Sequence, residues 1–236
     1  MRSSTLSDSE PPREGGGWRH QLAWFGAGAL AAFLVPLLFT SVLEIQHDVY
    51  LAVYFGFVVA LLGTYVSRNE IDLVGVIRRN WKWGLLVGIL LGIPIVRNVF
   101  TEDATAHPDG LYFAFELVWR GALYGAADAI LLTVFPCLIA LQVLGAPLRT
   151  WRRRLAYFGA SLLMIVTITA TYHLGYEHYR DVGVGKPETG NALISLPMLL
   201  TTNPIGSILD HSAMHVAAVA HNYEGETRLP PATDAD

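Results

Sequence analysis

The sequence has few charged residues and almost no cysteine, and both shortages limit what the protein can be. Only 15% of its 236 residues are charged, whereas 53% are hydrophobic, and the mean hydropathy is +0.40. An ordinary soluble domain has about 25% charged residues, so this composition excludes that class and indicates a membrane protein. The only cysteine, Cys137, excludes an internal disulfide and a cysteine metal cluster.

The charges that are present show no strong excess of one sign. Sixteen Lys and Arg against 20 Asp and Glu give a formal net charge of -4. No basic face stands out, so we expect no binding to nucleic acid. Both ends of the chain are polar and rich in small residues or proline. We therefore predict disordered tails at 1–20 and 223–236 around a transmembrane helical domain at 21–222.

Long apolar segments follow the first tail. A helix needs roughly 20 apolar residues to cross a hydrocarbon core of about 30 Å. Five segments meet or approach that length, and they are 21–43, 48–67, 83–100, 111–144 and 155–175. Residues 190–221 exceed one span but contain TTNPIG, where Pro204 and Gly206 interrupt a helix, so they predict a helical hairpin. The fold expected is an all-α, polytopic transmembrane bundle of about seven helices.

Arg and Lys are concentrated in the loops that fall on one side of these segments. They lie in the N-terminal tail and in the loops at 68–82 and 145–154, whereas the opposite loops hold only Arg97, Arg180 and Lys186. Positive residues favour the cytoplasmic side. We therefore predict a multi-pass protein with a cytoplasmic N-terminus. The expected location is the plasma membrane of a prokaryote.

Seven ionisable residues lie inside the apolar segments, where such groups are costly and usually face the bundle interior or a wet cavity. They are Glu116, Arg120, Asp128, His173, Asp210, His211 and His215. Glu116 and Arg120 are four residues apart, about 40° apart around a helix, and can form an ion pair. One interpretation is that each only neutralises the insertion cost of the other; another is that they belong to a functional site.

The histidines and Asp128 extend this polar set to other positions. His211 and His215 are one helical turn apart on one face, a spacing that suits metal chelation, a hydrogen-bond relay or general-base work equally well. His173 is expected at about the depth of Glu116, either in a site or as an interfacial histidine bonded to a loop carbonyl. Asp128 is turned about 120° from Glu116, which predicts a second polar contact for it.

In their order along the chain, these residues resemble the CAAX-protease and bacteriocin-processing family of glutamate-type intramembrane proteases, also called CPBP or Abi. The family motifs are EExxxR, FxxxH and HxxxN on successive helices. FELVWRG supplies Glu116 and Arg120, TATYH supplies His173, and GSILDHSAMH supplies His211 after a Gly-Ser turn. The resemblance covers roughly residues 111–221, the motif-bearing core.

Three positions depart from the family motifs. Phe115 stands in place of the first glutamate, Thr169 in place of the aromatic residue of FxxxH, and His215 in place of the amide of HxxxN. With one glutamate missing, Glu116 is left as the only carboxylate base of the motif.

The resemblance implies an intramembrane endopeptidase that needs no metal and no cofactor. Its catalytic residues would be Glu116 and His173, as bases toward a water, and His211, which would orient that water or donate to the oxyanion. The supporting residues would be Arg120, His215 and Asp128. The substrate implied is a peptide bond in a membrane-embedded or lipid-modified segment, with membrane lipid as the other partner and the oligomeric state left open.

Two alternatives stay open beside the protease. Because the first motif glutamate is absent, the chain also fits a degenerate member that binds or chaperones another membrane protein without catalysis. A histidine-ligated membrane metal oxidoreductase is the other alternative, since carboxylate and imidazole ligands suit iron or zinc. Its ligands would come from His173, His178, His211, His215 and Glu116.

Overall fold

The computed structural model describes residues 17–145, 148–225 and Leu229. Over these residues the chain forms ten helices and no strand, which confirms the predicted all-α fold. The helices are α1 (Trp18–Val42), α2 (His47–Arg68), α3 (Leu73–Arg78), α4 (Trp81–Val99), α5 (Gly110–Leu144), α6 (Trp151–Leu174), α7 (Glu177–Val182), α8 (Gly185–Ile194), α9 (Leu196–Thr201) and α10 (Ile205–His221).

Five of these helices are long and apolar enough to cross a membrane, namely α1, α2, α4, α5 and α6. They coincide with the five predicted segments and are compatible with a multi-pass membrane protein. Ten helices are described rather than about seven for two reasons. The short helices α3 and α7 lie between longer ones, and the predicted hairpin region contains α8, α9 and α10 instead of two arms.

Most of the two predicted tails lies outside the described residues, but their inner ends are folded. Helix α1 begins at Trp18, inside the range assigned to the N-terminal tail. At the other end Leu229 is only 2% exposed and packs with Val99 of α4 and Val219 of α10. The described residues therefore include short parts of both ranges assigned to the tails, namely 17–20, 223–225 and Leu229.

The predicted helix interruption lies between α9 and α10. Helix α9 ends at Thr201, and Thr202 adopts a left-handed backbone with φ of 58°. The Asn203 side chain fixes the turn, because its carbonyl oxygen accepts from the Ile205 N–H at 3.0 Å and its amide donates to the Arg79 carbonyl at 2.7 Å. This turn ties the start of α10 to the connection between α3 and α4.

Helix α5 is the central helix of the bundle. In its most apolar stretch 72% of the residues are buried, whereas the share is 22% to 33% in the other four long helices. Two π-helical segments, Leu117–Leu123 and Ile130–Val134, interrupt its α-helical geometry directly after Glu116 and shortly after Asp128. Wider turns of this kind redirect side chains and often occur near functional sites.

Helix α10 runs antiparallel to α5 and touches it through glycines. A Cβ on Gly125 would lie 2.7 Å from the Cα of Ser212 and 2.8 Å from the carbonyl oxygen of His211. One turn earlier, a Cβ on Gly121 would lie 3.0 Å from the Cα of Val216. Because backbone atoms cannot move aside, these glycines allow the close approach that the sequence predicted for α5.

We expect Gly125→Leu to lower the free energy of unfolding by about 1–3 kcal/mol, since it forces α10 away from α5. For a chain of this size that corresponds to a fall of roughly 2–12 °C in the unfolding midpoint. Circular dichroism of the detergent-purified protein measures it. The control is Gly159→Leu on α6, where a Cβ meets nothing within 4 Å; equal midpoints for the two variants would contradict the contact.

Candidate functional site

A cavity of about 560 Å³ lies between α5, α6, α8 and α10. Four residues that the sequence singled out line it: Asp128 from α5, His173 from α6, and His211 and His215 from α10. These side chains are separated by up to 87 positions in the chain, so only the packing of three helices brings them together.

Asp128, His211 and His215 form a compact cluster in the wall of this cavity. One ligand-type atom from each lies within 4.8 Å of the other two, and all three residues are buried, at 3–4% exposure. The two imidazole rings are nearly parallel, with centroids 5.7 Å apart, as the one-turn spacing predicts. Tyr54 of α2 donates a hydrogen bond of 2.6 Å to Oδ1 of Asp128 and so orients the carboxylate.

The distance between Asp128 and His215 is closer to the spacing of two metal ligands than to a direct hydrogen bond. Oδ2 of Asp128 lies 3.6 Å from Nε2 of His215, which is too long for a hydrogen bond. Two ligand atoms that each lie about 2.0 Å from one tetrahedral zinc ion are roughly 3.3 Å from each other. Within the described residues, both ring nitrogens of His215 and Nδ1 of His211 lack a hydrogen-bond partner although they are buried. Buried polar groups are normally satisfied, so these atoms suit metal ligation.

His173 lines the same cavity without belonging to the three-residue cluster. Its Nδ1 lies 2.8 Å from the carbonyl oxygen of Thr169. Because a carbonyl can only accept, Nδ1 carries the proton, and Nε2 is the basic nitrogen of the neutral ring. A half-buried neutral histidine of this tautomer beside the cluster is suited to accept a proton from a water.

Glu116 and Arg120 form the predicted ion pair, with Nη1 of Arg120 3.6 Å from Oε2 of Glu116. Tyr223 completes the group. Its hydroxyl donates to the same Oε2 at 3.1 Å, and the guanidinium lies 4.6 Å from the centre of its ring. Burial raises the pKa of Tyr223, so its hydroxyl keeps the proton that it donates.

The ion pair lies apart from the cavity. Neither Glu116 nor Arg120 is among the described residues that line it. Because Gly121 of α5 faces Val216 of the antiparallel α10, Glu116 lies near the level of His221, roughly 15 Å along α10 from His211. The structure thus brings His173 and His211 to one cavity and places Glu116 at the far end of α10.

Asp210 and His178 also lie away from the cluster. The Asp210 carboxylate lies against Gly92 of α4, and the ring of His178 rests on Tyr179 at 5.1 Å between centroids. Neither is among the described lining residues of the cavity. The carboxylate that lies with the histidines is that of Asp128. The metal-enzyme alternative predicted from the sequence had Glu116 as its carboxylate ligand.

A network of buried tyrosines adjoins the cluster. The ring of Tyr124 meets His215 edge-on at 4.8 Å, and its hydroxyl bonds to Tyr172 at 2.9 Å. The chain of hydroxyl contacts continues from Tyr172 to Tyr176 at 2.7 Å and from there to Tyr50 at 2.5 Å. A fully bonded buried network of this kind holds its members in fixed positions, so it provides a rigid wall for the site.

Sequence reasoning assigned Asp128 a supporting role and did not single out Tyr54. The signal for Asp128 was present, because a lone carboxylate in an apolar helix needs a partner. Spacing within one helix does not show which other helix supplies that partner. Tyr54 gave no signal, since tyrosine is common in membrane helices.

Comparison of the chain with protein-family models, with curated proteins and with solved structures found no match. The resemblance to the CAAX-protease family therefore stays a prediction. Since a helical bundle alone does not define an activity, the function rests on the geometry of the site.

Proposed function

We propose that the protein is a membrane-embedded, metal-dependent hydrolase in which Asp128, His211 and His215 hold a zinc ion. The observation that carries this proposal is the cluster itself: three buried ligand-type atoms within 4.8 Å, with unpartnered ring nitrogens, in the wall of a 560 Å³ cavity. Two imidazoles and one carboxylate form the ligand set of several zinc hydrolases, where the fourth position is left for water.

His173 completes the proposed chemistry as the base. A bound zinc ion would lower the pKa of a water in the cavity. Nε2 of His173 takes a proton from that water, and the water oxygen bonds to a carbonyl carbon of the substrate. The bond from this carbon to the leaving oxygen or nitrogen breaks, and the leaving group receives the proton from His173. One water is consumed, and the products are an acid and an alcohol or amine.

The two metal-free alternatives remain as outcomes of the test. The order of the motifs supports a peptidase in which Glu116, His173 and His211 act on one water, but the roughly 15 Å between the levels of Glu116 and His211 along α10 disfavours it. A non-enzymatic membrane protein would use the Asp128 and His215 contact only to hold α5 against α10.

Metal analysis of the purified protein tests the proposal. After incubation with zinc and removal of the excess, we expect about one zinc per native chain, the stoichiometry of a three-ligand site. Asp128→Asn and His215→Gln should retain less than about a tenth of it, and Glu116→Gln should retain all of it. A native chain that keeps no zinc would overturn the proposal and favour a metal-free function.

Tyr54→Phe should weaken zinc binding by about tenfold to a hundredfold, because partners that orient a metal ligand typically contribute that much. The variant removes the hydroxyl that donates to Asp128 and keeps the ring. Competition with a chelator of known affinity measures the change. In the control Tyr124→Phe, the lost hydroxyl bonds to Tyr172 instead; an equal effect in both variants would contradict the role of Tyr54.

We also propose that the N-terminus lies in the cytoplasm of a prokaryote, with the basic loops on the same side. In support, the start of α1 and the end of α2 meet through a 2.7 Å hydrogen bond from Gln21 to Asn69, beside the basic loop. The native Cys137 is buried, so a cysteine in the exposed Ser67 position reports topology. Ser67→Cys should react with an impermeant maleimide in inside-out vesicles only. Labelling in intact cells would place residue 67 outside the cell and contradict the proposed orientation.

A further inference from the structure

An apolar groove adjoins the cavity between α4, α8 and α10. Its volume is about 430 Å³, and five described residues line both spaces: Asn98, Gly190, Leu193, Ile194 and Met214. Because they share these walls, the cavity and the groove adjoin each other, with polar side chains in the cavity and an almost wholly apolar lining in the groove.

The groove opens on an exposed, apolar face of the bundle, which we expect to face the hydrocarbon core. Pro94 of α4 and Leu193 of α8 are exposed at its rim. The neighbouring surface of α4 is a stripe of exposed apolar side chains, at 45% to 62% exposure, formed by Leu86, Ile89, Leu90 and Ile93. A chain that lies in the bilayer can therefore enter the groove sideways without crossing water.

The chemistry of the groove distinguishes a hydrocarbon chain from a peptide. An extended peptide at membrane depth needs a partner for each backbone N–H and C=O, because it makes no hydrogen bonds within itself. Among the described lining residues only Asn98 offers a polar side chain, since the others are glycine, proline, leucine, isoleucine or methionine. A hydrocarbon chain needs no such partner and gains free energy from apolar walls.

We propose that the groove binds the acyl chain of a membrane lipid and that the ester or amide bond of this lipid lies at the Asp128, His211 and His215 cluster. The proposal rests on the proposed hydrolase function and gives it a substrate class. It replaces the peptide implied by the motif resemblance with a lipid, because the groove that adjoins the site has an almost wholly apolar lining.

Photochemical labelling tests the occupant. The probe is a phosphatidylcholine with a diazirine in its acyl chain, incorporated into nanodiscs that contain the native protein. We expect adducts on the groove wall at Leu91 and Ile95 in addition to those on the lipid-facing Leu90 and Ile93. The outward pair serves as the internal reference, since any membrane helix is labelled on its exposed face.

Gly190→Phe is the variant that should block the groove in this labelling experiment. A Cβ at Gly190 meets nothing within 4 Å, so the ring enters open space where the groove meets the cavity. We expect at least a fivefold fall in labelling of Leu91 and Ile95 relative to the outward pair. Gly159→Phe on α6, where a Cβ also meets nothing within 4 Å, should leave the ratio unchanged.

The outcomes separate this proposal from the hydrolase proposal. If the native chain binds zinc but Gly190→Phe leaves the labelling ratio unchanged, the lipid groove is overturned and the metal site stands. If the chain binds no zinc but the ratio falls fivefold, the hydrolase is overturned and the lipid groove stands. Competition separates the two occupants. If an added transmembrane peptide abolishes the labelling and an added single-chain lipid does not, the groove binds a peptide and the lipid proposal is overturned.

Discussion

His211→Ala should lower kcat/KM for hydrolysis of a long-chain p-nitrophenyl ester in nanodiscs by at least about a hundredfold. Partners that only orient a metal ligand contribute about tenfold to a hundredfold, and His211 is a proposed ligand itself, buried at 3% exposure. The zinc content of the variant should fall together with kcat/KM, because zinc binding and hydrolysis both depend on the His211 ligand.

Two further variants make this result specific. His178→Ala removes a histidine that is not among the described lining residues of the cavity, and its rate should stay within about threefold of the native rate. Glu116→Gln should do the same, since the carboxylate lies with Arg120 and Tyr223 at the other end of α10. A large loss in Glu116→Gln with little loss in His211→Ala would favour the glutamate-dependent peptidase.

Arg120→Leu should lower the free energy of unfolding by about 3–5 kcal/mol, because it leaves a buried carboxylate without its counter-charge. Glu116 is fully buried, and its Oε1 has no hydrogen-bond partner among the described residues. The variant also removes the guanidinium that stacks on Tyr223. Titration of the detergent-solubilised protein with sodium dodecyl sulfate measures the change.

The double variant Glu116→Gln with Arg120→Leu should regain most of that stability, since it removes the unpaired charge. Arg120→Lys keeps the charge and should lose less than Arg120→Leu. A loss of under about 1 kcal/mol in Arg120→Leu, the value typical of an exposed pair, would contradict a stabilising role for this ion pair.

The fold could be predicted where the cause is local. The lengths of the apolar segments predicted the five long helices, and Pro204 predicted the break that separates α9 from α10, whereas Gly206 lies inside α10. The Glu116 and Arg120 pair followed from their four-residue spacing on one helix. The π-helical segments of α5 could not be predicted, because they depend on how neighbouring helices pack against it rather than on a residue pattern.

The candidate site could be predicted only in part. The sequence pointed to His173, His211, His215 and Asp128 as unusual, because each is ionisable within an apolar segment. Their grouping depends on contacts between distant helices, above all the antiparallel approach of α5 and α10 at Gly125. The motif resemblance placed Glu116 with the histidines, whereas the packing gives that position to Asp128 twelve residues later.

Zinc K-edge X-ray absorption of the zinc-loaded protein tests the central claim most directly, because it reports the ligands of the ion. We predict a four-coordinate zinc with nitrogen and oxygen ligands at about 2.0–2.2 Å and scattering from two imidazoles. His215→Ala should reduce this to one imidazole in whatever zinc remains. A spectrum with only oxygen ligands and no imidazole scattering would contradict a zinc site formed by Asp128, His211 and His215.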